Sequence, residues 1–421
     1  MNILILGGGF GGVRAALDLS KKFKHKKDIK IILVDKHDAH TFYPSLYEVA
    51  SVFGMKHEHP FHTRLYNTIL LSYKEIFKGA KNVEIVQAEI KDINLEEKQV
   101  STSGDSVLSF DYLIIALGSV VSTFGIPGVQ EYAFKFKSIE DAVMLNDKIE
   151  ELYDLAGRGT RTLPINILVG GAGFTGVELA AELSNCTVHI AHRHKVTQQN
   201  CTSISLIEAA PMMLPMVSEK ERNIIRKRLT QIGVNIMENS AIEEVGPDFI
   251  KLKSGQMLNG DLIVWTAGIK AMEFLKNIKN LDLDERGRIL VNNFLQIKNH
   301  QNIYAVGDNI IFLDPKNQKP VPQMAYVAIE QGRVVAENIA RSIQSKGKSA
   351  ALKLYKPDYG VWVAPVGGKY AVAHLGAVTF SGFVGYVIHE LIDLRYLFKT
   401  LPFPKAIKLF FKNLMIFSRN D

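Results

Sequence analysis

Cysteine is nearly missing from this 421-residue chain, which has only Cys186 and Cys201. Neither a C-x-x-C nor a C-x-x-x-x-C pattern occurs. A dithiol relay needs two sulfurs close enough to bridge, so disulfide-type redox chemistry is excluded. His189, His192 and His194 lie between the two cysteines, but their spacing fits no common zinc pattern. A polar extension after a helix is the reading there, and no metal is expected. Long apolar runs are missing too: no segment offers the roughly 18 residues that a membrane span needs. The nearest, from Leu375 to Ile388, is short and broken by Thr379, Ser381 and three glycines. No leader pattern precedes the strand-like run that begins at residue 2, which points to the cytoplasmic side. The motifs Asn185-Cys186-Thr187 and Asn200-Cys201-Thr202 then carry no weight as glycosylation sites. Excess charge is modest at +7, and the run Lys21 to Lys27 reads as a solvated loop, so no nucleic-acid partner is expected.

What is present is glycine in two patterned clusters. Gly7-Gly8-Gly9-Phe10-Gly11-Gly12 follows the apolar run Asn2 to Leu6, and Gly171-Ala172-Gly173-Phe174-Thr175-Gly176 follows Ile165 to Gly170. Both fit G-x-G-x-x-G between a strand and a helix. There Gly7 and Gly171 permit the turn, and Gly9 and Gly173 let backbone approach a pyrophosphate. Gly12 and Gly176 let helix pack on strand. Each fingerprint has its second half. Asp35 ends the strand Ile29 to Asp35, and Glu208 ends Ser203 to Glu208, where a carboxylate can accept from ribose hydroxyls. No arginine closely follows Glu208 to receive a 2′-phosphate, which favours NADH over NADPH. An acid merely capping an exposed strand is the alternative at both positions.

The length admits two or three domains, and 47% hydrophobic residues supply a core. Late apolar strands followed by small-residue turns recur at Tyr112 to Ala116 with Leu117-Gly118-Ser119, and at Leu262 to Gly268. That repetition predicts a duplicated nucleotide-binding fold. Asn302 to Asp308 is a further strand that ends in Gly307-Asp308, and a helix is expected from about Ala325 to Ile339. The expected fold class is α/β, with two Rossmann-like dinucleotide-binding domains and a C-terminal membrane-associating region. The boundaries are 1–119 with 291–345, then 120–290, then 346–421.

With these residues assembled, the chain resembles the two-dinucleotide flavoproteins, and within them the type II NADH:quinone oxidoreductases. The resemblance covers essentially the whole chain. It is carried by Asp35 with His40-Thr41-Phe42-Tyr43-Pro44-Ser45-Leu46-Tyr47-Glu48-Val49-Ala50, and by Phe124-Gly125-Ile126-Pro127-Gly128. Trp265-Thr266-Ala267-Gly268 and Gly307-Asp308 complete it. The resemblance implies that residues 1–119 and 291–345 bind FAD and that 120–290 bind NADH. Gly7, Gly9, Gly12, Asp35, Ala116, Gly118, Gly307 and Asp308 would hold FAD, with Tyr43 and Pro44 near the isoalloxazine ring. Gly171, Gly173, Gly176 and Glu208 would hold NADH; Gly268 and Ala325 complete the cofactor-binding set. Glu178 matches the family's acidic residue near the nicotinamide. Sulfide:quinone oxidoreductases, which are relatives, are disfavoured by the missing cysteines.

The acceptor side departs from the family. Where A-Q-x-A-x-Q is common, this chain has Ala325-Tyr326-Val327-Ala328-Ile329-Glu330. An ionised carboxylate only accepts hydrogen bonds, whereas an amide also donates. Glu330, at a glutamine position, is therefore a second candidate catalytic residue, with altered acceptor contact. In the tail, Lys405, Lys408 and Lys412 share an arc at about 100° per residue, with Ile407, Phe410, Phe411 and Leu414 opposite. A helix lying on the membrane surface is expected, at the cytoplasmic face and peripheral; burial in a homodimer interface or against the core is the competing reading. The expected activity passes hydride from NADH to FAD and two electrons on to a membrane quinone, without proton pumping. The alternative is a redox-dependent interaction module like the apoptosis-inducing-factor group.

Overall fold

The computed structural model describes residues 1–53, 60–198, 200–345 and 350–418. The boundary expected at 346 falls outside them. Contacts divide the chain into two units. The first is Met1–Thr41, Leu70–Val120 and Ile269–Tyr359; the second is Phe42–Ile69, Val121–Gly268 and Gly360–Asp421.

Each unit is organised on a five-stranded sheet whose pairings are all parallel. In the first unit the spatial order is Ile303–Ala305, Tyr112–Ile115, Asn2–Leu6, Lys30–Asp35, Val83–Gln87. In the second it is Phe134–Lys135, Leu262–Trp265, Ile165–Gly170, Thr202–Ile207, Val234–Met237. The inner strands read as continuous apolar runs because helices cover both faces of a parallel sheet. Ile3 to Leu6 and Ile31 to Val34 are accordingly buried. In both units the strand that feeds the glycine cluster is central, and chain order reverses beside it. That switch point is where open α/β sheets bind ligands.

The duplication extends to the inserts. Three antiparallel strands, Ile90–Asn94, Gln99–Thr102 and Val107–Ser109, precede the fourth parallel strand of the first unit. Ile242–Val245, Phe249–Leu252 and Met257–Asn259 likewise precede Leu262–Trp265 in the second, the fifth strand there in chain order because Phe134–Lys135 comes first. Even the register irregularity repeats, at Ile90/Asp92 and at Ile242/Glu244. The two α/β units thus match the expected Rossmann-like pair.

The helix Phe10–Lys22 leaves the first cluster and packs on Ala325–Gln344. The approach is close: a Cβ on Gly332 would lie 2.4 Å from the Gly11 carbonyl oxygen. The second cluster's helix, Phe174–Arg193, continues into the polar stretch expected to follow it and takes up its first half, from Cys186 to Arg193. Cys186, Thr187, Ile190 and Ala191 are buried at helical spacing along that extension, so the polar stretch has an inner face. The second unit also carries the antiparallel sheet Val361–Pro365, Ala371–Leu375, Val378–Gly382, then helices Phe383–Thr400 and Phe403–Phe417.

Candidate functional site

The first cradle forms where the chain turns from strand Asn2–Leu6 into its helix. Gly7 adopts φ +98°, and a Cβ there would lie 2.3 Å from the Ala116 carbonyl oxygen. A Cβ on Gly12 would lie 1.9 Å from the Gly7 carbonyl oxygen. Behind the turn, therefore, only glycine fits. In front, Gly9 caps the helix and has no atom within 4 Å of the Cβ it lacks. This places open space at a helix N-terminus, where first-turn N–H groups lack partners within the helix and the dipole favours an anion. The Gly8 N–H donates to Asp35 Oδ2 at 2.6 Å, which ties the carboxylate to the turn. Tyr73 Oη donates to the Gly8 carbonyl at 3.1 Å, and His40 Nδ1 lies 3.0 Å from the same oxygen. A carbonyl only accepts, so His40 carries its proton on Nδ1. Burial lowers the His40 pKa to about 4 against the opposing pull of the Gly8 bond, which leaves the ring neutral at pH 7.

The second cradle repeats this construction. Gly171 has φ +104° and no room for a Cβ against Ala267, 2.7 Å away. A Cβ on Gly176 would again lie 1.9 Å from the carbonyl oxygen of the first glycine, here Gly171. Gly173 faces open space as N-cap. The Ala172 N–H donates to Glu208 Oε2 and the Ala210 N–H to Oε1, both at 2.8 Å. Each cradle is thus packed behind, open in front and tied to an acid at the next strand's end. That fits two dinucleotide pyrophosphates. Nearby, Gly268 packs on Phe124, whose ring would be 2.2 Å from an added Cβ.

Asp308 follows the strand Ile303–Ala305, beside the first cradle. Ser119 Oγ donates to Asp308 Oδ2 at 2.9 Å, and Gln323 Nε2 donates to the Asp308 carbonyl at 2.6 Å. The Gly307 N–H donates to Gln331 Oε1 at 2.7 Å, and the Gly118 N–H to Asn309 Oδ1 at 3.1 Å. A cleft of about 240 Å³, partly open to solvent, is lined here by Gly307, Asp308, Gln323, Met324 and Gln331 among others. Ala325 opens the helix directly after Met324. Gly7, Gly9, Gly12, Asp35, Ala116, Gly118, Gly307, Asp308 and Ala325 therefore fall within one unit. Glu330 belongs to this unit too, where it pairs with Arg333 at 2.5 Å.

Glu178 lies in the second unit, on the cradle helix. Burial raises its pKa to about 8; Asp393 adds to the rise and His389 opposes it. Burial also raises Asp393, to about 6. For His389 burial would lower the pKa, but Asp393, Glu390 and Glu178 together outweigh it and hold the ring at about 9. Tyr47 is buried and feels Glu48, Glu182, Glu178 and Asp393, so its phenol stays protonated. At pH 7 this group holds a neutral Glu178 beside a cationic His389. Tyr43 and Pro44 sit in the turn Tyr43–Ser45, also in the second unit, with the Lys137 ammonium 5.4 Å from the Tyr43 ring centre.

Sequence reasoning missed several participants. Gln323 and Gln331 carry no motif of their own and meet Asp308 and Gly307 only through folding, while Asn309, next to Asp308 in the chain, meets Gly118 only through folding. His389 and Asp393 lie four residues apart on Phe383–Thr400, a spacing that puts both on one helix face. His40 was visible, since it opens the quoted run after Asp35.

Known proteins resemble this chain along nearly its whole length. A family model described as pyridine nucleotide-disulphide oxidoreductase matches residues 1–332. A type II NADH:quinone oxidoreductase of Staphylococcus aureus is 32% identical over 404 residues, covering 94% of this chain and 95% of that protein. Among solved structures, NDH2 from Plasmodium falciparum in complex with NADH superposes with a TM-score of 0.81 at 18% identity, covering 98% of this chain and 97% of that one. A sulfide:quinone oxidoreductase from Aquifex aeolicus gives 0.77 at 18% identity, covering 95% and 91%. Identities this low speak for the shared fold.

Proposed function

The chain belongs to the type II NADH:quinone oxidoreductases of the pyridine nucleotide-disulphide oxidoreductase family, and from that premise we propose that it passes hydride from NADH to FAD and two electrons on to a membrane quinone, without pumping protons. The observation that carries this reading is the pair of cradles, one per unit, each packed behind and open in front. We assign FAD to the first unit, held by Gly7, Gly9, Gly12, Asp35, Ala116, Gly118, Gly307 and Asp308. NADH goes to the second, held by Gly171, Gly173, Gly176 and Glu208, with Gly268 supporting the turn. Bound flavin supplies the two-electron chemistry. The protein's own part is to orient the pyrophosphates at two helix N-termini and to keep a proton on Glu178.

Attachment to a membrane surface is inferred from the tail. Among the described residues no helix is long and apolar enough to cross a membrane. Val384, Val387, Leu391 and Phe398 form an exposed stripe at helical spacing on Phe383–Thr400. Phe403, Phe411 and Met415 are exposed on the last helix, with Lys408 beside them. An apolar stripe rimmed by lysine suits a bilayer interface with anionic headgroups. The cytoplasmic face follows from the use of NADH.

Glu208 gives the test of nucleotide choice. Its carboxylate already accepts two backbone N–H groups, and a 2′-phosphate beside it would meet like charge. NADPH should therefore show a lower kcat/KM than NADH in steady-state assays with a short-chain quinone. Equal efficiency would overturn the NADH assignment.

A further inference from the structure

Phe174, the first residue of the second cradle's helix, begins an aromatic series that runs into the C-terminal sheet. Its ring lies 5.6 Å from Trp362 at 53°. Trp362 in turn stacks on His374 at 5.7 Å and 15°, its partner across the pair Val361–Pro365 and Ala371–Leu375. His374 Nδ1 is 2.5 Å from Oε1 of the buried Glu221. Thr379 Oγ1 donates to that same oxygen at 2.6 Å, and Ser218 Oγ donates to Oε2 at 2.6 Å. Burial would raise the Glu221 carboxyl, but these three donors outweigh it and keep it an anion below the usual range.

The sheet is also bolted to the cradle helix independently of the rings. The Gly368 N–H donates to Glu182 Oε2 at 3.0 Å, and a Cβ on Gly367 would lie 2.8 Å from the Ala181 carbonyl oxygen. Arg228, on the separate helix Glu219–Gln231, steadies the same turn by donating from Nε to the Val366 carbonyl and from Nη2 to the Gly367 carbonyl. The sheet therefore has little freedom relative to the helix whose first turn would receive the pyrophosphate. A dinucleotide held by first-turn N–H groups depends on where that turn sits, and Phe174 is its first residue.

We propose that Trp362 is a positioning residue for the NADH cradle, acting through Phe174 and held by His374 and Glu221. This rests on assigning the second cradle to NADH. Trp362 lies outside both glycine fingerprints, so the C-terminal sheet becomes part of the dinucleotide site.

The test uses the full-length holoprotein with NADH and a short-chain quinone. Trp362→Leu should raise the KM for NADH about three- to tenfold, the range an aromatic pair spans. The kcat and the FAD content should stay within about twofold, and Trp362→Phe, which keeps a ring at the contact, should restore most of the KM. In a cycle with Phe174→Leu, the double variant should bind NADH no worse than the poorer single variant, because both remove one contact. A KM for Trp362→Leu within twofold of wild type overturns the proposal while leaving NADH oxidation intact; so does full additivity in the cycle. If Trp362→Leu fails to fold, Trp362→Phe against His374→Gln decides. Loss of NADH affinity in His374→Gln with Trp362→Phe near wild type supports the series; wild-type affinity in His374→Gln overturns it. A wild-type protein that oxidises no NADH would instead refute the assignment beneath it.

Discussion

At the scale of single residues, Glu178 is the side chain whose chemistry most depends on surroundings that lie far away in the chain. Burial and Asp393 keep its proton on up to about pH 8, and His389 stays cationic to about 9. Below pH 8 the neutral acid can donate a hydrogen bond; above it, an anion replaces the donor. We therefore expect kcat/KM for NADH to fall as pH rises through about 8 in the wild type. Glu178→Gln, which donates at every pH, should lack that fall. A pH profile in which the glutamine variant titrates as the wild type does would remove Glu178 from the account. Glu178 itself was legible from its place two residues after Gly176. Its partners were not, because His389 and Asp393 come from a helix that no motif connects to the cradle.

At the scale of elements, the cradles were legible because they are enforced by sterics. Gly12 and Gly176 each close on a backbone carbonyl at 1.9 Å, so no other residue fits without moving backbone. Gly176→Ala should therefore abolish NADH affinity while the protein still purifies with FAD, and Gly12→Ala should do the reverse. Overpacking costs of roughly 1–3 kcal/mol make local failure the expected result rather than global unfolding. Flavin absorbance together with NAD⁺ titration reads both; simultaneous loss of both cofactors in either variant would contradict independent sites. The last helix shows where periodicity stops informing. Its amphipathic spacing was readable, but the face with Ile407, Phe410 and Leu414 proves half-buried, while Phe411 lies exposed. Asn413 donates to the Thr68 carbonyl at 2.8 Å, a tertiary contact that sets the helix's rotation and that no local pattern encodes. Likewise, nothing in the described residues 42–53 and 60–69 signals that they group with the second unit.

At the scale of the whole molecule, the exposed apolar stripes of the last two helices and the two cradles describe an enzyme that meets a water-soluble donor and a lipid-soluble acceptor. Removing the residues after Pro404 deletes Phe411, Met415 and Lys408 from that surface. The truncated protein should pellet far less with anionic liposomes, yet still reduce ferricyanide with NADH. High salt should mimic part of the loss, since exposed charges are screened over about 10 Å at 0.1 M. Undiminished co-sedimentation would place the attachment elsewhere.

Two cradles in one chain imply two half-reactions that can be separated in time. In an anaerobic stopped-flow experiment, mixing the FAD-loaded protein with one equivalent of NADH should bleach the flavin absorbance. A second mix with a short-chain quinone should restore it at a rate no slower than turnover. Bleaching followed by a long-lived absorbance that quinone does not discharge within turnover time would contradict the account and favour a redox-dependent interaction module.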